Sequence, residues 1–139
     1  MKVVICSGGF DPIHSGHIAY FREAKKLGDI LVVGVNSDEW LTRKKGKPFM
    51  PIQERLDIIQ AIKYVDYTMK FRDDDDSARL LIHNAKLMWP SAEIIFANGG
   101  DRNSSNNRES DVEGVTFVFG VGGSHKMNSS SEILKTWNN

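Results

Sequence analysis

An apolar strand, a double glycine and a helix start follow one another near the beginning of this chain, and they constrain its fold strongly. Residues 3–6 form an apolar run typical of a buried parallel strand, and Gly8 and Gly9 permit a sharp turn after it. Apolar residues then recur at helical spacing between Ile18 and Leu27, which predicts a helix that begins near Ser15. Its first N–H groups and the positive end of its dipole favour an anion at the glycine turn. The sequence therefore predicts a phosphate site there.

Two histidines occupy the first turn of this predicted helix. His14 and His17 are three residues apart and therefore neighbours on one helical face, and Gly16 between them leaves room for a phosphate against the backbone. The same pair is compatible with a metal site, or with a helix cap beside a solvated histidine. A zinc site needs a third and usually a fourth ligand, whereas the other histidines are remote in sequence and the cysteine is expected in the core. We therefore interpret the pair as phosphate donors and expect no resident metal.

The composition indicates one globular domain that covers residues 1–139. Lys plus Arg and Asp plus Glu number 18 each, so the formal net charge is zero and no overall field attracts long nucleic acid. No apolar run approaches the roughly 20 residues of a membrane span, and the first run is too short for a signal peptide. The single cysteine excludes an internal disulfide and fits a reducing compartment. We expect a cytoplasmic protein that binds neither nucleic acid nor membrane.

Strand-like and helical patterns alternate along the chain. Apolar runs predict five strands, at residues 3–6, 30–35, 66–71, 93–97 and 116–119. Helical spacing predicts helices at residues 15–27, 51–62, 77–88 and 130–137, and a short one near 108–111. Such alternation is typical of an α/β protein, so we expect one Rossmann-like, doubly wound parallel sheet of five strands. The turns at 8–9, 36–38 and 98–101 all follow strands and are expected to meet in one crevice.

The segment from Gly9 to His17 resembles the G-x-F-D-x-x-H-x-G-H signature of the cytidylyltransferase-like nucleotidyltransferases. Other segments are similar to motifs of the same family in the same order: residues 28–39, 43–47, 53–55, 63–66, 99–101 and 128–133. The family includes glycerol-3-phosphate cytidylyltransferases and heptose-phosphate adenylyltransferases. The resemblance implies an enzyme that moves CMP or AMP from CTP or ATP to a small phosphorylated alcohol or sugar, with release of pyrophosphate. It also implies a homodimer.

In that reaction an acceptor phosphate oxygen attacks the α-phosphorus and pyrophosphate leaves. The acceptor phosphate is already largely anionic at pH 7, because its second pKa is about 6, so the site needs donors and cations rather than a strong base. The resemblance implies that His14, His17 and Lys44 are the catalytic residues, with the histidines as N–H donors. Lys44 is expected to close over the triphosphate on a loop that is mobile without ligand.

The basic run at residues 43–47 departs from the family pattern at one position. The family often has a second lysine two positions after Lys44, where this chain has Gly46, and Lys45 or Lys47 can take its place. Together with the lysines, Arg55 is expected to neutralise the β and γ oxygens. Without the family pattern, a basic run of this kind is most often a solvated loop.

The resemblance also implies the remaining contacts. Nucleotide and phosphate binding is implied for Gly8, Gly9, Phe10, Arg55, Asn98, Gly99, Asp101, Ser129, Ser130 and Ser131. Acceptor binding is implied for Asp11, Asp38 and Lys63. Ser129 and Glu132 also have the spacing of a capping box, which is compatible with a phosphate at that helix start. Mg²⁺ is expected to arrive with the nucleoside triphosphate.

Two further features have simple structural interpretations. The acidic run at residues 72–76 is expected to be an exposed loop before a helix, although such a cluster also suits a divalent ion. Trp40, Trp89 and Trp137 are interpreted as packing residues.

Two other functions stay open at this point. An adenylyltransferase that acts on a mononucleotide or a flavin phosphate would use the same residues. A non-catalytic nucleotide-binding module is disfavoured, because binding alone does not require two histidines, Lys44 and Arg55. The sequence leaves the choice between CTP and ATP open.

Overall fold

The computed structural model describes residues 1–100, 107–123 and 130–138 as an α/β protein. The strands are β1 Lys2–Gly8, β2 Ile30–Val35, β3 Tyr67–Lys70, β4 Glu93–Gly99 and β5 Val115–Val121. The helices are α1 Ser15–Lys25, α2 Asp38–Lys45, α3 Ile52–Gln60, α4 Arg79–Met88 and α5 Ser130–Asn138. In this part of the chain no helix has the length and apolar character needed to cross a membrane. Two predicted site residues, Asp101 and Ser129, lie outside the described residues.

All paired strands run parallel, in the sheet order β3-β2-β1-β4-β5. In the central strand, Val3 is in register with Ile30 of β2 on one side and with Ile94 of β4 on the other. The chain therefore winds from β1 to β3 and then crosses back to form β4 and β5. Loops that leave β1 and β4 diverge at the carboxyl edge of the sheet and open a crevice there. The predicted doubly wound, five-stranded parallel sheet is confirmed.

The central strand packs on both faces. Val4 and Cys6 share one core layer with apolar residues of α1 and α3, and Val3 and Ile5 share the other with α4. All four side chains are completely buried. Because helices cover both faces of the sheet, β1 is apolar along its length rather than alternating.

Helix α2 differs from the sequence prediction, which had a turn at residues 36–38 and a mobile loop at 43–47. Ser37 Oγ caps the helix by accepting a hydrogen bond from Trp40 N at 3.0 Å. Acidic residues occupy its first turn and three basic residues its last, as the helix dipole favours. Gly46 ends the helix at φ 98°, where glycine is favoured. The loop prediction was wrong for residues 43–45, which are helical.

The acidic run is an exposed loop only in part. Asp73 is buried, and its carboxylate accepts hydrogen bonds from Asn36 Nδ2 at 2.9 Å, Ser37 N at 2.8 Å and Ser37 Oγ at 2.6 Å. Arg43 donates to Asp73 O at 2.9 Å and pairs with Asp76 at 3.0 Å. The expected exposure therefore holds for the three aspartates after Asp73. Asp73 itself anchors the start of α2.

The packing interpretation is confirmed for one tryptophan, Trp89, which contacts the core and lies 5.2 Å from Tyr67 between ring centroids. Trp137 is 78% exposed, so that prediction was wrong. Trp40 lines the crevice described below. The short helix predicted near residues 108–111 is a turn.

Candidate active site

A cavity of about 500 Å³ opens at the carboxyl edge of the sheet, and its size suits a nucleotide. Its walls come from the turn after β1, from α1 and α2, from the ends of β4 and β5, and from the start of α5. The predicted site residues that line it are Gly8, Gly9, Phe10, Asp11, His14, His17, Lys44, Asn98, Gly99, Ser130 and Ser131. The topology thus brings residues from distant parts of the chain to one site.

The two histidines form the helix cap of α1. Nδ1 of His14, the N-cap residue, accepts a hydrogen bond from Gly16 N at 3.1 Å, and Nδ1 of His17 accepts one from His14 N at 3.2 Å. The rings stack with centroids 3.8 Å apart. Because Nδ1 acts as an acceptor in both rings, the proton of each neutral imidazole lies on Nε2. The cap therefore directs the proton of each neutral ring to Nε2, on the side of the ring away from the backbone contact.

The Phe10 ring packs against the His17 ring of this pair. Phe10 is buried, and its ring meets the His17 ring edge to face at a centroid distance of 4.9 Å. The backbone of Phe10 has φ 51°, which is uncommon for a residue with a side chain. A Cβ added at Gly8 would lie 2.8 Å from the Phe10 ring, so the first glycine leaves room for the aromatic support.

Two lysines reach the cavity from the last turn of α2. Lys44 Nζ lies 4.6 Å from the centre of the Trp40 ring, a cation–π contact. Lys45 Nζ lies 2.8 Å from Asp11 Oδ2 and donates to Asp11 O at 2.7 Å. Both line the cavity, whereas Lys47 does not. A helix therefore presents these cations, and of the two candidates for the second lysine the structure brings Lys45 to the site.

Asp11, predicted to bind the acceptor, anchors the chain that follows α2. Its carboxylate is buried and accepts hydrogen bonds from Phe49 N and Met50 N, each at 2.6 Å. Together with the ion pair to Lys45, these contacts hold residues 45–50 against the glycine turn. Asp11 lines the cavity, but its carboxylate already serves this internal role.

Arg55 lies behind the glycine turn, outside the cavity lining. Its side chain is fully buried, and Nη1 donates to Gly9 O at 2.9 Å and to Asn36 O at 2.7 Å. Nε donates to Met50 O at 2.9 Å, and Nη2 pairs with Asp38 at 2.6 Å. The residue does not line the cavity, which corrects its predicted phosphate contact. A guanidinium that is buried must satisfy its donors locally, and the carbonyls of two turns do this.

Two predicted acceptor ligands also lie away from the cavity lining. Asp38 is the partner of Arg55, and Lys63 Nζ lies 5.2 Å from the centre of the Tyr64 ring. Neither lines the cavity. Both predictions depended on motif position, which does not show the direction of a side chain.

The wall on the β4–β5 side contains residues that the sequence analysis missed. Tyr20 lines the cavity and donates a hydrogen bond from its hydroxyl to Ala97 O. Gly122, at φ 86°, follows β5, and a Cβ there would lie 2.8 Å from Tyr20 Cα. The glycines after the fifth strand were the available signal for this close approach. Trp40, Leu41 and Glu109 also line the cavity without having been predicted there.

The start of α5 closes the remaining side. Ser130 Oγ donates to Pro12 O at 2.7 Å and so ties this helix to the turn after β1. Ser130 and Ser131 both line the cavity, close to the helix N-terminus as predicted. Hydroxyls and N–H groups at a helix start add further donors for an anion.

Comparison with known protein families identifies the family of this chain. Residues 5–118 match the family model described as Cytidylyltransferase-like. This chain belongs to the cytidylyltransferase-like family. The match covers the segment that holds the glycine turn, both histidines and helix α2.

This family member is similar to a longer curated protein. The Bifunctional protein HldE of Proteus mirabilis (strain HI4320) is 31% identical over 139 residues, which are 99% of this chain and 27% of that protein. The HldE of Hahella chejuensis (strain KCTC 2396) is 36% identical over 124 residues, covering 88% and 23% respectively. The cytidylyltransferase-like chain thus spans about a quarter of the length of these relatives.

Solved structures show the same architecture. The lipopolysaccharide core biosynthesis protein from Thermoplasma volcanium GSS1 has a TM-score of 0.65 and 28% identity, covering 86% of this chain and 93% of that one. A putative nicotinate-nucleotide adenylyltransferase from Vibrio parahaemolyticus has a TM-score of 0.67 and 15% identity, covering 97% and 85%. The second likeness shows the fold alone.

This cytidylyltransferase-like site has the means to stabilise phosphate charge. Two histidine N–H donors, two lysines and two serines line one cavity around a glycine turn. Among the residues that the structure describes, no cluster of three His, Cys, Asp or Glu side chains is placed to hold a metal ion. The cavity lining thus combines hydrogen-bond donors with cations.

Proposed function

We propose that this nucleotidyltransferase moves CMP or AMP from magnesium-bound CTP or ATP to a small phosphorylated alcohol or sugar. The stacked pair of His14 and His17 carries the proposal. Both rings line the cavity with Nδ1 engaged in the helix cap, and we assign the Nε2–H of each ring as the donor to phosphate. A pair that served only to cap a helix would not require two imidazoles on the wall of a nucleotide-sized cavity.

In the proposed reaction, an oxygen of the acceptor phosphate forms a bond to the α-phosphorus. The bond from the α-phosphorus to the bridging oxygen breaks, and that oxygen leaves with pyrophosphate. The acceptor oxygen is already anionic near pH 7, so no side chain removes a proton from it. His14 and His17 donate hydrogen bonds where negative charge increases, and the fixed cap holds both rings ready for this.

The lysines of α2 neutralise the leaving group. Lys44 exchanges its contact with the Trp40 ring for the β and γ oxygens. Lys45 supplies the second cation that the family pattern has two positions after Lys44. Charge that shifts onto pyrophosphate strengthens both contacts in the transition state, which raises turnover more than it raises ground-state affinity.

A grid of substrates tests the proposal. Pyrophosphate release is measured with CTP, ATP, GTP and UTP, each against glycerol 3-phosphate, sugar 1-phosphates, mononucleotides and a flavin phosphate. We expect release with CTP or ATP and a phosphorylated alcohol or sugar. Release only with a mononucleotide or flavin phosphate would replace the acceptor class, and nucleotide binding without release for any pair would indicate a non-catalytic module.

A further inference from the structure

Asp73 is a buried carboxylate that lies outside the cavity lining, in the connection between β3 and α4. Its carboxylate accepts hydrogen bonds from Asn36 Nδ2 at 2.9 Å, Ser37 N at 2.8 Å and Ser37 Oγ at 2.6 Å. Asn36 N in turn donates to Gly8 O at 2.9 Å. Because a buried charge is costly unless donors surround it, these contacts are tightly coupled. They fix the start of α2 relative to the end of β1.

The backbone of Asp73 contacts the other end of the same helix. Arg43, in the last turn of α2, donates from Nη2 to Asp73 O at 2.9 Å and pairs with Asp76 Oδ1 at 3.0 Å. Asp76 N also donates to Asp73 O at 2.9 Å, and Asp76 has φ 60°, a conformation that aspartate adopts more readily than most residues. Asp73 therefore contacts α2 at both ends, with its carboxylate at the first and its carbonyl at the last.

The N-cap of α2 connects Asp73 to the cavity. Ser37 Oγ donates to Asp73 Oδ1 and accepts a hydrogen bond from Trp40 N at 3.0 Å. Trp40 lines the cavity, and its ring carries the cation–π contact with Lys44 Nζ. Lys45, the next residue, lines the cavity as well. A change in the direction of α2 would therefore move both lysines relative to the glycine turn.

We propose that Asp73 is a positioning residue, which holds α2 so that Lys44 and Lys45 face the cavity. A helix of eight residues is marginal by itself in water, so tertiary contacts must fix its place. Within α2, all of which the structure describes, Leu41 alone is buried. The polar contacts at the two ends therefore carry much of its orientation. The role given to the two lysines rests on the proposed function, whereas the position of α2 does not.

Asp73 could instead stabilise the whole fold without directing α2. Asp75 provides the matched control, because its Oδ1 accepts hydrogen bonds from the same two groups of another serine, Ser77 N at 3.1 Å and Ser77 Oγ at 2.9 Å. Asp75 precedes α4, and neither this residue nor α4 lines the cavity. Asp73→Asn and Asp75→Asn remove the same charge from one connection. A general effect on stability would loosen all helices together, whereas the proposed role loosens α2.

Hydrogen exchange and amine labelling test the position of α2 without any substrate. Asp73→Asn should raise the exchange rates of α2 amides about 5- to 10-fold, as expected when a helix start loses its capping contacts, and leave those of α1 near wild type. Acetylation of the Lys45 amine should also rise, because this amine is paired with the buried Asp11, while that of Lys47 stays unchanged. Asp75→Asn should change neither readout. Equal acceleration in α1 and α2, or unchanged labelling of Lys45, would overturn the proposal.

A second pair of variants repeats this test if Asp73→Asn fails to fold. Ser37→Ala removes the hydroxyl that joins Asp73 to the cap, and Ser37→Thr keeps a hydroxyl there. We expect faster exchange in α2 for Ser37→Ala and rates near wild type for Ser37→Thr. Wild-type exchange in both variants would contradict the connection through Ser37.

Steady-state kinetics of pyrophosphate release test the effect on the lysines. Asp73→Asn should lower kcat about tenfold with a smaller change in KM, and Asp75→Asn should keep the wild-type values. In a Lys44→Ala/Lys45→Ala background the same Asp73→Asn change should cost less than about twofold, because the groups that it positions are gone. A normal kcat for Asp73→Asn, or an undiminished loss in that background, would overturn the proposal. Absence of release from every wild-type substrate pair would instead disprove transfer, and exchange and labelling would still decide the position of α2.

Discussion

Nδ1 of His17 accepts a hydrogen bond from the backbone N–H of His14, while the two imidazole rings stack with centroids 3.8 Å apart. The capping role and the proposed catalytic role are therefore combined in one side chain. The cap occupies Nδ1, and this directs the proton of the neutral ring to Nε2. A side chain that caps the helix without a second nitrogen would preserve the fold and lose the donor.

Replacing either histidine by alanine should therefore reduce turnover without unfolding the protein. We expect kcat for pyrophosphate release to fall about 10²- to 10³-fold for His14→Ala and for His17→Ala, the usual effect of removing one preorganised donor. Loss of the N-cap in His14→Ala should also lower the free energy of unfolding by about 1 kcal/mol. His83→Ala, an exposed position on α4, is the control. Folded histidine variants that keep the turnover of this control would refute the mechanism.

Lys44 and Lys45 should both affect turnover, and Lys47 should not. Lys44→Ala and Lys45→Ala remove cations that line the cavity, so we expect kcat to fall more than KM rises. Lys47→Ala removes the same charge from an exposed position beyond Gly46 and serves as the matched control. Steady-state kinetics on the three variants would distinguish these roles. Equal kcat and KM values for all three variants would contradict the proposed role and would indicate that residues 43–47 are solvated surface residues.

Replacing Arg55 should lower the free energy of unfolding rather than weaken nucleotide binding directly. Arg55→Ala leaves the carbonyls of Gly9 and Asn36 and the carboxylate of Asp38 without their buried donor. Removing one partner from a buried charged network typically costs about 3 to 5 kcal/mol. Urea unfolding measures this directly. An unchanged unfolding midpoint with a raised KM for the nucleotide would show that Arg55 contacts phosphate after all.

Cys6 should be unreactive in the folded protein. Burial raises the pKa of its thiol from 9.0 to about 12, although a hydrogen bond with Tyr20 acts in the opposite direction. A raised pKa in the folded state stabilises the fold fully below pH 9.0, and this contribution is lost as the pH rises from 9.0 toward 12. At pH 8 a thiol reagent should modify unfolded chains at once and native chains only as fast as they open. Rapid modification of native protein, with no loss of structure by circular dichroism, would contradict the burial.

The protein is also expected to form a homodimer. Large apolar side chains are exposed on its helices, with Trp137 of α5 at 78% and Leu87 of α4 at 67%. The ground for this prediction is the resemblance to the cytidylyltransferase-like family, because single exposed apolar side chains do not by themselves mark an interface. Light scattering at micromolar concentration should give twice the mass of the chain, and a monomer mass would remove the prediction.

Features that depend on local spacing were predictable from the sequence. Apolar runs predicted the five strands, and the alternation of these strands with helices predicted their parallel winding. The glycines and histidines after β1 predicted a turn followed by a helix, because a reversal in the chain and a helix start are both encoded by neighbouring residues. Ser130 and Ser131, expected at the phosphates through their position in a motif, line the cavity, and their contact with phosphate stays a prediction.

The tertiary structure decided which charged side chains reach the cavity. Arg55 turns inward because the carbonyls of Gly9 and Asn36, brought beside it by the sheet, can satisfy its donors. Asp38 forms an ion pair with Arg55 and does not line the cavity. Asp73 is buried and accepts a hydrogen bond from Ser37 N, 36 residues earlier, at the start of α2. Helix α2 brings Lys45 to Asp11, and the β4–β5 connection places Glu109 on the cavity wall. Each of these outcomes depends on a partner far away in sequence. The sequence alone does not show whether a carboxylate or a guanidinium binds a substrate or a backbone group of the same protein.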